Sequence, residues 1–167
     1  MRITRLSIAA VLMMAAARIM AQEPVVGVAD PEALFMSKTG TAEEQRNKEA
    51  ALHIMRELLQ CNQWNRAGEW LTNKYLQHNP NAQSGLEGVV YYFTQVMKRE
   101  PTATCGKLTT PVVAVMAEGD LVTVIIPREY DDPRNPGKTY STTWFDTWRF
   151  VDGKADEHWD PAQVAAP

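Results

Sequence analysis

The apolar residues of this chain change their period once. Between Thr41 and Met97 they recur at helical spacing, and from Thr102 onward they alternate, with Pro101 between the two regimes, where a ring lacking an N–H forbids a helix from continuing. Thr41-Ala42-Glu43-Glu44 has the form of a capping box, and Ala51, Ile54, Met55, Leu58 and Leu59 then mark one face of a helix over about 42–60. A second, short helix is predicted over about 64–71, with Trp64, Ala67 and Trp70 on one side. Ser84-Gly85-Leu86-Glu87 reads as another capping box, opening a third helix whose stripe is Leu86, Val89, Val90, Phe93 and Met97.

Beyond Pro101 the residues favour strands. Val112–Glu118 and Leu121–Pro127 are rich in β-branched residues and flank Gly119-Asp120, so they predict a hairpin. Asp131 to Gly137 has the chemistry of a loop, placed to overhang a pocket mouth. In the strand Tyr140–Val151, parity puts Trp144, Asp146, Trp148 and Phe150 on one face and Phe145, Thr147 and Arg149 on the other. A turn at Asp152-Gly153 leads into Ala155–Asp160. Helices first and a strand meander afterwards specify an α+β fold, with the helices on one face of an antiparallel sheet; strong curvature of that sheet would enclose a cone open at one end.

Residues 1–21 read as a signal peptide: Arg2 and Arg5, an apolar run from Leu6 to Ala17, and Ala21 before Gln22-Glu23-Pro24 as a cleavage point. Cleavage there would leave 14 basic residues of the original 17 against 20 acidic ones, moving the net charge from −3 to −6. That balance speaks against a nucleic-acid partner, and the mature chain is expected to be periplasmic or secreted with no membrane association. Residues 22–40 are expected to be a flexible lead-in, 41–160 one domain and 161–167 a tail. Cys61 and Cys105 either pair, which the chain-entropy argument values at about 4 kcal/mol, or stay apart as buried thiols.

Two of the three histidines fall in segments dense in proton-handling groups, Tyr75-Leu76-Gln77-His78-Asn79-Pro80 and Gly153-Lys154-Ala155-Asp156-Glu157-His158-Trp159-Asp160. Together with Phe145-Asp146-x-Trp148-Arg149-Phe150, and in this order, they resemble the SnoaL-like group of the NTF2-like superfamily over about residues 47–160. The resemblance implies a helical wall against a strongly curved sheet. It also implies acid/base chemistry by a carboxylate and a histidine in an apolar pocket, an aldol-type closure without metal or other cofactor, and a homodimer formed through the outer face of the sheet, where Phe145 and Val151 would lie.

The candidate catalytic residues are His78, Asp146, His158 and Asp160, and the candidate ligand-binding residues are Trp64, Asn79, Trp144 and Trp148. An aldol step needs a base for the proton α to a carbonyl and a donor for the enolate oxygen. His158 and Asp160, two apart on a strand, project to the same side. Each residue also has a plainer reading: His78 as part of the turn at Asn79-Pro80, His158 and Asp160 as a strand end whose Asp caps a turn, Asp146 in a salt bridge to an arginine, and the tryptophans as core filling. His53 reads as a satisfied histidine without catalytic duty. The chain is therefore expected to be an exported, cofactor-independent lyase or isomerase for a small carbonyl compound, or a non-catalytic domain of the same fold that binds an apolar ligand.

Overall fold

The computed structural model describes residues 23–164; the expected signal peptide, residues 1–21, and the end of the tail lie outside them. Helix α1 spans Pro31–Phe35, α2 Ala42–His53, α3 Ala67–Trp70 and α4 Leu86–Tyr91. The strands are β1 Leu71–Gln77, β2 Ala114–Glu118, β3 Leu121–Asp131, β4 Thr139–Val151 and β5 Lys154–Trp159. One five-stranded sheet forms in the order β1-β5-β4-β3-β2, antiparallel except where β1 runs parallel to β5. The α+β architecture is as expected from the single change of period.

The capping box at Thr41 forms: its hydroxyl accepts from the Glu44 N–H at 3.2 Å, and its own N–H donates to the Glu44 carboxylate at 2.7 Å. Past His53, α2 widens into π-helical turns over Ile54–Gln60, and α4 does the same over Tyr92–Val96. Five-residue closures, Cys61 N to Arg56 O and Met97 N to Tyr92 O, end both segments. The second capping box does not form. The helix begins one residue later, with Gly85 at φ 90° as its cap, and the Ser84 hydroxyl instead accepts from the Gln77 N–H at 3.0 Å.

The stripe along α2 and its π-helical extension packs onto the concave side of the sheet. Ala51, Ile54, Met55 and Leu58 are buried there against Val122 and Val124 of β3 and Trp148 and Phe150 of β4. Register follows parity: Val122 opposes Trp148, Val124 opposes Asp146 and Ile126 opposes Trp144.

Three expectations need correction. The sheet, expected only beyond Pro101, also takes in residues 71–77 as strand β1, whose pairing slips between Leu71 and Leu76 and so breaks the alternation at its N-terminal end. The flexible lead-in instead contains α1, whose Phe35 is buried in the core, while the Val28 N–H bonds Val112 O at 2.8 Å. The Asp132–Lys138 loop closes on itself through Asp132 N to Lys138 O at 2.8 Å; only its flanking Tyr130 and Tyr140 line the cavity. Cys61 and Cys105 are joined in a disulfide, which holds the long connection after α4 against the end of the π-helical turns. Among the described residues no helix is long and apolar enough to cross a membrane.

Candidate active site

Between the helices and the concave face of the sheet lies a cavity of about 920 Å³. Ile54, Met55 and Leu58 from the first π-helical segment and Tyr92 and Phe93 from the second form one wall. A π-turn widens the helix and re-aims successive side chains, which lets neighbouring positions on the turn reach one space. The opposite wall is Ile126, Trp144 and Trp148, and the floor is Tyr75, Gln77, Asp146, His158 and Asp160.

Three of the four candidate catalytic residues come together. His158, 6% exposed, places Nε2 3.2 Å from Asp146 Oδ1, and its Nδ1 lies 4.0 Å from Asp160 Oδ2. Ligand atoms of Asp146, His158 and Asp160 all lie within 4.8 Å of one another, which also makes them the group best placed to hold a cation among the described residues. Among the described residues Asp146 makes no arginine salt bridge; its partners there are His158 and the Trp144 indole N–H, which donates to Oδ1 at 3.0 Å. Its Oδ2 has no hydrogen bond among the described residues.

The fourth, His78, does not reach the cavity. Gln77 pairs with His158 across β1 and β5, so the next residue faces the convex side, where the outward residues of β5 also point. There His78 Nε2 meets Glu157 at 2.8 Å and the ring stacks on Trp159 at 5.3 Å. Asn79 returns to the inner face and donates from Nδ2 to Asp160 Oδ2 at 2.8 Å. Asp160 Oδ1 also accepts from the Ala162 N–H at 2.9 Å, so both oxygens of this carboxylate are held.

Hydrogen-bond logic fixes part of the protonation. The Asn79 N–H donates to Gln77 Oε1 at 3.0 Å, so that atom is an acceptor, and His158 Nδ1, 2.9 Å away, must carry a proton to bond it. On the other side of the ring, His158 Nε2 and Asp146 Oδ1 then share a single proton, as imidazolium with carboxylate or as imidazole with carboxylic acid. Such a pair can release or take up a proton without the imidazole having to turn.

Two floor residues escaped the sequence reading. Tyr75 is buried, and burial pushes its phenol well above the ordinary range, so the group stays protonated; the nearby Asp146 and Asp160 charges act in the same direction. Trp148 Nε1 donates to the Tyr75 oxygen at 3.2 Å, which leaves the phenolic proton available to another acceptor. Gln77 orients His158. The signal was present, because Tyr75, Gln77 and Asn79 are spaced by two and, read as a strand, share a face that excludes His78.

All four candidate ligand-binding residues line the cavity: Trp64, Asn79, Trp144 and Trp148. Trp64 stacks on Phe93 at 3.9 Å, and its buried indole N–H has no partner among the described residues. His53 is satisfied as expected, 2.6 Å from Glu57 and stacked on Trp70.

Known proteins share this fold. A candidate polyketide cyclase from Acidithiobacillus ferrooxidans superposes with a TM-score of 0.52 at 18% identity, covering 75% of this chain and 89% of that one. A candidate SnoaL-like polyketide cyclase from Jannaschia sp. CCS1 gives 0.51 at 18% identity, with 75% and 92% covered. An NTF2-like protein from Burkholderia pseudomallei gives 0.49 at 14%, with 71% and 91% covered. None of the curated proteins matches. At these identities the likeness is one of fold. The family model of the SnoaL-like domain matches residues 52–158, well over half of the chain and every residue of the floor except Asp160, and the protein belongs to that family.

Proposed function

We propose that this protein is a cofactor-independent lyase or isomerase that acts by acid/base chemistry on a small carbonyl compound. The observation that carries the reading is the Asp146–His158 pair, sharing one proton at the floor of a cavity walled in part by Ile54, Met55, Leu58, Phe93 and Trp144, with an unengaged carboxylate oxygen on one side. Asp146 Oδ2 takes the proton α to the carbonyl, and the C–H electron pair moves into an enolate whose oxygen accepts a hydrogen bond from Tyr75. Return of the proton to a different carbon is isomerisation. Attack of the enolate carbon on a second carbonyl, whose oxygen takes the proton, is aldol closure, and the reverse cleaves the carbon–carbon bond. Asp160, tied by Asn79 and Ala162, is a positioning residue beside the imidazole.

The test is deuterium exchange at the methyl group of 2-acetylnaphthalene in D₂O, followed by proton NMR. Wild type should accelerate exchange, and Asp146→Asn, nearly isosteric, should lower the rate on the order of 100-fold with the fold retained. No exchange above buffer, with the ketone shown to bind, would leave the non-catalytic binding domain as the reading; the fully tied carboxylate of Asp160 is the observation that favours that second view.

Export and self-association belong to the same proposal. The Cys61–Cys105 disulfide supports an oxidising compartment, periplasmic or extracellular, and the N-terminus of the mature protein should lie at or near Gln22 by sequencing. Met116, Phe145 and Val151 are exposed on the convex side of the sheet, as a homodimer through that face requires.

A further inference from the structure

The arginines of the described residues fall into two groups by partner. Among the described residues, Arg46, Arg56, Arg66, Arg134 and Arg149 each meet a carboxylate. Arg99 and Arg128 do not, and these two line the cavity. Arg128 continues the inward stripe of β3 after Val122, Val124 and Ile126, opposite Thr142 of β4. Its guanidinium lies 5.4 Å from the ring of Trp144, whose N–H bonds Asp146. An arginine laid on an aromatic face and lacking an acid partner keeps its donor edge for an incoming oxyanion.

The geometry points to an organic acid as the ligand: we propose that Arg128 anchors a carboxylate at the cavity mouth while the reacting carbonyl sits at the floor. This deepens the reading above and rests on the cavity being the ligand site. Orientation follows from sign, because the floor holds the Asp160 carboxylate beside an Asp146–His158 pair that is neutral overall, and so repels a second carboxylate, whereas Arg128 attracts one to the mouth. Length follows from register. Val124 opposes Asp146, and Arg128 is four residues further along the same strand, about 13 Å at the usual rise. The guanidinium leans back towards Trp144, which shortens that span. The ligand class is therefore an aromatic or apolar acid roughly two rings long, with its carbonyl remote from its carboxylate.

The experiment is calorimetric titration of the full mature chain with paired probes, naphthalene-2-acetate against naphthalene-2-acetamide and biphenyl-4-acetate against its primary amide. Each acid should bind about tenfold or more tightly than its amide, the scale of a charge-assisted hydrogen bond. In Arg128→Gln that advantage should vanish, and in Arg128→Lys, which keeps the charge but not the planar stack, it should shrink. Arg128 is exposed, so thermal melting of the variants should match wild type. Equal binding of acid and amide by wild type would overturn the anion anchor while leaving the cavity reading intact, and so would loss of the advantage in Arg99→Gln rather than Arg128→Gln. Binding of neither member of either pair would remove the cavity reading and this inference with it.

Discussion

Tyr75 joins stability to chemistry at the scale of one residue. Its phenol is buried and its oxygen accepts from Trp148 Nε1 at 3.2 Å, so the one proton it has to give is directed elsewhere. Tyr75→Phe fills the same volume. The expected result is loss of enolate stabilisation, a fall in the α-deuterium exchange rate on the order of 100-fold, together with about 1–3 kcal/mol of destabilisation from the orphaned indole N–H. A parallel measurement of exchange and denaturant unfolding separates the two effects. His78 shows the opposite case: it carries the right chemistry but sits one position out of phase, paired with Glu157 on the convex face. Residue type alone could not distinguish it from His158, whereas strand parity could.

At the scale of elements, the β3–β4 hairpin is set by its turn as much as by its ladder. Asn135 Nδ2 and the backbone and side chain of Arg134 all donate to the Asp132 carboxylate, and these bonds pull its pKa down to about 2. A depressed carboxylate stabilises the folded form fully above its unfolded value near 3.9 and loses that contribution as pH falls through the folded value. The Asp132 carboxyl resonance should accordingly titrate near pH 2 by NMR, with the loop contacts intact at pH 4; a midpoint near 3.9 would mean that these bonds do not form in solution. Both cavity-facing helices adopt π-helical turns where they meet the cavity, a feature without a side-chain signature because it depends on which carbonyl each N–H chooses.

At the scale of the whole molecule, the disulfide closes a 44-residue span that includes β1, α4 and much of the cavity wall. Replacing both cysteines by serine should lower stability by up to about 4 kcal/mol in the chain-entropy argument, a fall in Tm on the order of 10 °C. Differential scanning calorimetry with and without reductant checks it, since wild type under reduction should match the double variant. The layer order of the molecule was legible in the sequence because period is a local property: the 3.6-residue stripe from Ala51 to Leu58 and the alternation from Trp144 to Phe150 each report their own buried face. The inward placement of Asp146 and the shared side of His158 and Asp160 followed from the same parity. What the sequence could not specify was long-range. The slip in β1, the parallel pairing of Gln77 with His158, the closure of Cys61 on Cys105 and the docking of Phe35 all depend on which distant segment lies alongside. Local propensity determined the elements and their faces; only packing in three dimensions decided which faces meet, and so which of the proton-handling groups share a cavity.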